Sequence, residues 1–144
     1  LNAVEIIRLA LEIFNENHIH FNPEKENIEI KFDRNQLIRI ITNLVKNALQ
    51  ATEHLENPVI EVKISTQEED VIINVEDNGS GIPIDMQERI FEPRFTTKSS
   101  GMGLGLGMVK NIIETYKGDI KLTSKLEEGT IFTLKLPKSN THDI

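Results

Sequence analysis

Two asparagines stand four residues apart in "NLVKNALQA", at positions 43 and 47. On a helix that spacing puts both side chains on one face. Their neighbours are apolar, and an amide in such company is costly unless it is satisfied. Either the pair caps and bridges nearby loops, or its carbonyl oxygens turn to a site. There they suit a hard cation such as Mg²⁺, which keeps waters and shares phosphate oxygens. A carboxylate, Asp77, ends the apolar run of "VEDNGSGIP" and is followed by Gly79 and Gly81. Asp-Asn-Gly makes a turn unaided. At the mouth of a pocket the same carboxylate accepts a hydrogen bond from a ligand amino group, and the glycines let the backbone approach. The third stretch is "EPRFTTK", with Arg94 and Lys98, leading into "GMGLGLGMVKNII". Gly101, Gly103, Gly105 and Gly107 fall just where helical spacing begins. Each glycine in a helix costs roughly 0.5–1 kcal/mol relative to alanine. Four in seven residues is expensive for a mere connector. Exposed N–H groups at a helix start, with its partial positive charge, suit phosphate oxygens.

These residues need elements to hold them. Apolar positions at Val4, Ile7, Leu11 and Phe14 predict a helix over 3–16. "HIHFN" and "IEIKF" alternate and read as short strands around a "PEKEN" turn. "DRNQLIRIITNLVKNALQAT" is the strongest helix, opened by Asp33 or Arg34, with Leu37, Ile40, Ile41, Leu44, Val45 and Leu49 in one stripe. "PVIEVKIST" and "DVIINVED" form a hairpin through "QEED". The irregular segment from Asn78 to Gly103 reads as a functional lid or a loop. A helix then runs to about Tyr116, and "GDIKLTSKL" and "GTIFTLKLP" make a last hairpin around "EEG". The expected fold is α+β: a two-layer sandwich with a mixed, mostly antiparallel sheet and helices on one face. Residues 1–144 read as one domain with a frayed tail over 138–144. The glycine loop fits neither the dinucleotide fingerprint nor a P-loop, since it follows no strand directly and lacks the Gly-Lys-Ser/Thr ending.

Composition narrows the function classes. The chain has 144 residues, 27% of them charged, and a formal net charge of −7. An acidic surface argues against nucleic acid and membrane surfaces as partners, and makes any anion site depend on local donors. Cysteine is absent, so thiolate chemistry is excluded. No apolar run approaches a membrane span. The start "LNAVEIIRLALEIF", mid-pattern and without Met, reads as a domain cut from a longer, cytoplasmic or membrane-anchored protein with this part in the cytoplasm.

Taken in order, the motifs resemble those of the ATP-binding catalytic domain of sensor histidine kinases, in the superfamily that also holds gyrase, MutL and the heat-shock chaperone ATPases. "NLVKNALQAT" is similar to that family's asparagine box and "DNGSGIP" to its first glycine box. "IFEPRFTTK" is similar to its phenylalanine box, "GMGLGLGM" to its second glycine box, and "EEGTIFTLKLP" to its closing hairpin. "NALQA" and "FTTK" look most like the nitrogen-regulation type. The resemblance implies a Bergerat-type sandwich, ATP and Mg²⁺ as cofactors, and transfer of the γ-phosphate to a histidine on a helical dimerisation and phosphoacceptor domain, with a response regulator downstream.

Residue roles follow from the same resemblance. Asp77 binds the adenine amino group, with Gly79, Gly81 and Ile82 beside the base and ribose. Asn47, with Asn43, holds Mg²⁺ and serves catalysis together with Lys98. Gly101, Gly103, Leu104, Gly105 and Leu106 cradle the phosphates, Thr130 supports the adenine edge, and Phe91 and Phe95 anchor the lid. Arg94, Gln50 and Gly107 depart from the commonest residues at their positions. His18, His20, His54 and His142 lack the context of a phosphoacceptor. Two rivals remain: an ATPase of the gyrase type, whose relatives carry glutamate at the position of Asn43, and a nucleotide-sensing module without catalysis. An amide has no useful basicity near neutral pH, which favours a histidine acceptor over water.

Overall fold

The computed structural model describes residues 1–14, 17–92 and 105–138. The elements run α1 (Ala3–Leu11), β1 (Ile19–Pro23), α2 (Arg34–Thr52), β2 (Ile60–Gln67), β3 (Asp70–Asp77), α3 (Ile84–Gln87), α4 (Leu106–Thr115), β4 (Asp119–Lys125) and β5 (Gly129–Pro137). The five strands form one sheet in the order β1-β2-β3-β5-β4. β1 joins β2 in parallel, and the other three pairings are antiparallel.

Strand alternation decides which face is covered. Ile60, Val62 and Ile64 on β2, Val71, Ile73 and Val75 on β3, and Phe132, Leu134 and Leu136 on β5 are buried. The register sets them side by side, Val62 opposite Val75 and Val75 opposite Phe132. Helices α2 and α4 lie on this face, and α1 packs against α2. The opposite face carries polar residues such as Lys63, whose ammonium meets Glu76 at 2.7 Å. The sandwich expected from the sequence is the fold observed.

α2 forms where its stripe demands. Asp33 caps it by accepting from the Gln36 N–H at 2.9 Å. Leu37, Ile40, Ile41, Leu44 and Val45 are buried, and Leu49 is half-buried. Each fully buried side chain of this kind stabilises by about 1.5–3 kcal/mol. α1 ends at Leu11, and Asn2 caps it through the Val4 N–H at 3.1 Å.

Two expectations need correction. "IEIKF" is no strand of the sheet. Ile28 and Ile30 are buried as their alternation implies, but the segment makes only isolated bridges, Asn2 with Glu29 and Ile30 with Lys138. Alternation reports which side chains are covered, not whether a neighbouring strand runs alongside. Within the irregular segment after Asp77 there is also a short helix, α3, entered through Pro83. The expected tail beyond Lys138 lies outside the described residues.

Candidate functional site

The site is built where β3 ends and α4 begins, with α2 beside both. Asp77 is the last residue of β3, a strand flanked on both sides, and it pairs with Thr130 on β5. Its alternation places it on the covered face. Burial pushes the carboxyl from its ordinary 3.8 up to about 6, while backbone N–H groups of Gly79 and Thr130 donate to it and hold the shift down. The Gly79 bond is 2.8 Å. The unfolded chain loses this proton near 3.8, whereas the folded chain keeps it to about 6. Asp77 therefore favours folding most at low pH, and the advantage is lost as pH rises through 6. A carboxylate kept where its charge is unwelcome points to a ligand that repays it.

Gly79 and Gly81 meet the chain itself. A Cβ on Gly79 would overlap the Ala51 carbonyl at the end of α2, and one on Gly81 would overlap the Lys125 carbonyl. Gly81 also has φ +76°, a conformation that side chains rarely adopt. Close passage against α2 and β4 thus requires both glycines before any ligand is considered. The Ser80 N–H donates to the Ala51 carbonyl at 3.2 Å, which fastens the loop to α2. Gly79→Ala is expected to destabilise by about 2 kcal/mol or more, because the clash is with backbone that cannot turn aside. Urea unfolding measures this, and a loss under ~0.5 kcal/mol would show that α2 yields.

Asn43 and Asn47 share one face of α2 as their spacing implies. Asn47 is 4% exposed, and its Nδ2 donates to Asn43 Oδ1 at 3.4 Å, a long bond. Gly105 precedes α4 with φ +97° and comes so near that an added Cβ would stand 2.6 Å from Asn43 Nδ2. Asn43 therefore lies against the start of α4. No side chain caps α4 among the described residues. Among the described residues no cluster of His, Asp and Glu could hold a metal. The donors that fit Mg²⁺ here are the amide oxygens of Asn43 and Asn47, hard ligands that leave most positions to water and phosphate.

The remaining expected residues divide. Ile82 and Leu106 are buried, and their side chains pack in the core. Phe91 packs edge-on against Phe132, centroids 6.4 Å apart, with Lys110 over its ring at 5.7 Å. Phe95, Lys98, Gly101, Gly103 and Leu104, with Arg94, lie outside the described residues.

Two residues were missed by the sequence reading. Ser124 Oγ contacts the Thr130 hydroxyl at 2.8 Å and accepts from the Ile82 N–H at 2.8 Å. Gln87 Nε2 donates to the Ile82 carbonyl at 2.7 Å. The available signal was the hairpin register: a turn centred on "EEG" brings residue 124 opposite 130.

Residues 32–140 match the family described as histidine kinase-, DNA gyrase B-, and HSP90-like ATPase. The chain is 41% identical over 120 residues to sporulation kinase A of Bacillus subtilis, covering 83% of this chain and 20% of that protein. It is 42% identical over 113 residues to the sensor histidine kinase ZraS of Escherichia coli K12, covering 78% and 24%. An NtrY-like sensor histidine kinase of Rickettsia felis is 32% identical over 127 residues, covering 88% and 21%. The chain thus spans about a fifth to a quarter of these curated relatives. Among solved structures, the catalytic domain of histidine kinase ThkA superposes with a TM-score of 0.85 at 32% identity, covering 96% of this chain and 93% of that one. ThkA in complex with the response regulator protein TrrA matches with a TM-score of 0.81 at 30% identity, covering 96% and 41%. Sequence and fold thus agree, and the chain belongs to the histidine kinase-, DNA gyrase B- and HSP90-like ATPase family.

Proposed function

We propose that the chain binds Mg-ATP and delivers the γ-phosphate to a histidine on a separate helical domain of the same protein, as the catalytic domain of a two-component sensor kinase. The observation that carries this is the joined site. A half-buried carboxylate sits at a strand end with Thr130 beside it, and Asn43 of the amide pair on α2 lies against the start of α4. Asp77 accepts from the adenine amino group. Asn43 and Asn47 hold the cation through their oxygens, and Mg²⁺, when bound, neutralises phosphate charge. The N–H groups opening α4 face the phosphates, with Gly101, Gly103 and Lys98 extending the cradle. Catalysis is then positioning and charge neutralisation, and no covalent intermediate on this chain is needed.

The proposed surroundings follow the relatives. This chain is one ATP-binding domain of a longer protein that works in the cytoplasm, and a response regulator takes the phosphoryl group onward, as ThkA pairs with TrrA. Among the described residues no helix is long and apolar enough to cross a membrane.

Radiolabelled ATP tests the reading. The isolated chain is expected to bind Mg-ATP with neither rapid phosphate release nor self-labelling. Adding the helical acceptor domain starts transfer to that domain's histidine, because dimeric helices hold the acceptor in reach. Rapid phosphate release by the chain alone would favour an ATPase. Stable label on His18, His20, His54 or His142 would reveal an acceptor within it.

A further inference from the structure

Ser124 lies opposite Thr130 across the β4–β5 hairpin, and its hydroxyl oxygen meets three groups at once. The Ile82 N–H donates to it at 2.8 Å. It stands 3.0 Å from the Gly129 carbonyl and 2.8 Å from the Thr130 hydroxyl. A serine hydroxyl has one proton to give, and a carbonyl oxygen can only accept. The assignment that satisfies all three contacts gives the Ser124 proton to the Gly129 carbonyl and makes the bond between the hydroxyls with the proton of Thr130. Thr130 is 4% exposed. What Thr130 has left for a ligand is lone pairs. Asp77, its partner across the β3–β5 ladder, is an acceptor as well once ionised.

We propose that Ser124 determines base specificity by fixing the Thr130 hydroxyl as an acceptor, so that Thr130 and Asp77 together take a purine with a 6-amino group and reject one with a 6-carbonyl. This rests on the reading of Asp77 as the base-binding carboxylate. An exocyclic amino group carries two protons for two acceptors. A carbonyl oxygen in the same place meets lone pairs from both. Ser124 itself never touches the base and acts as a positioning residue. Gln87 steadies the arrangement from the other side, since its Nε2 donates to the carbonyls of Ile82, at 2.7 Å, and Ser124, at 3.4 Å.

The test is calorimetric affinity for ATP and ITP, whose bases differ in the 6-substituent and in the proton that hypoxanthine carries on N1, in the folded wild-type chain and its variants. Wild type prefers ATP. Ser124→Ala releases the Thr130 hydroxyl to turn and donate, and the ITP:ATP affinity ratio rises about tenfold, the scale of one hydrogen bond. Ser124→Thr keeps the hydroxyl and restores the wild-type ratio. Damage to packing alone lowers both affinities and leaves the ratio untouched, so an unchanged ratio in Ser124→Ala overturns the proposal. Where Ser124→Ala does not fold, Thr130→Val deletes the acceptor directly and must raise the ratio. An unchanged ratio there overturns the proposal equally. A wild-type chain that binds ATP and ITP alike overturns the assignment of Asp77 itself, and the role of Ser124 falls with it.

Discussion

Asn47→Ala is expected to abolish phosphoryl transfer to the acceptor domain, with a rate loss of about 10²–10³ or more, and to leave a folded chain. The structural cost is modest. Asn47 is 4% exposed, but among the described residues its amide makes only a 3.4 Å bond to Asn43, so truncation removes one weak interaction and little core volume. That change costs about 1–2 kcal/mol. The functional cost is large, because the variant removes one of the two amide oxygens that can meet a cation where α4 starts. Unlike a general base, a ligand lost here is not replaced by raising pH. Excess Mg²⁺ is expected to recover part of the activity, since a weakened site still fills at high concentration. Transfer is followed with radiolabelled ATP across a Mg²⁺ titration, and the fold by circular dichroism. Wild-type rates at limiting Mg²⁺ would make Asn47 a structural residue only.

The legible and illegible parts of this site differ in physical kind. Asn43 and Asn47 could be placed together because the helical period is fixed, and the apolar stripe around them fixes which face is which. The central strands were legible for the same reason, as Val71, Ile73 and Val75 alternate without interruption. Position across elements was not legible. "IEIKF" alternates as a strand does, yet only tertiary placement decides whether a neighbour pairs with it. The glycines at 79 and 81 suggested room for a ligand, whereas the tightest neighbours are the carbonyls of Ala51 and Lys125. Spacing marks a need for closeness without saying what comes close. Ser124 was invisible because serine in a strand is commonplace. Its role appears only once the hairpin register sets it against Thr130 and the Ile82 N–H reaches it.

Asp77→Asn is expected to weaken ATP binding at least tenfold while making the empty protein more stable at neutral pH. Both effects come from one cause. Burial raises the carboxyl to about 6, so at pH 7.5 the wild-type chain carries a charge that the fold disfavours. A shift of that size corresponds to a penalty on the order of 3 kcal/mol. Asparagine carries no charge, and its oxygen still accepts from a backbone N–H such as that of Gly79. The variant therefore gains about 1–3 kcal/mol above pH 6, and the gain vanishes below pH 4, where the wild-type side chain is neutral in both states. Binding moves the other way. In the proposed role the carboxylate offers charged acceptors to the adenine amino group, and such bonds contribute about 1.5–3 kcal/mol. The asparagine amide offers a weaker acceptor and, on its nitrogen, a donor facing a donor. In the wild-type chain ATP affinity is expected to rise with pH through about 6 as Asp77 ionises, and the variant is expected to lose that step. Thermal unfolding and calorimetry across pH 4–8 measure both. A variant that binds ATP as tightly as wild type, or that is less stable at pH 7.5, would mean that the charge on Asp77 serves the fold and not the nucleotide.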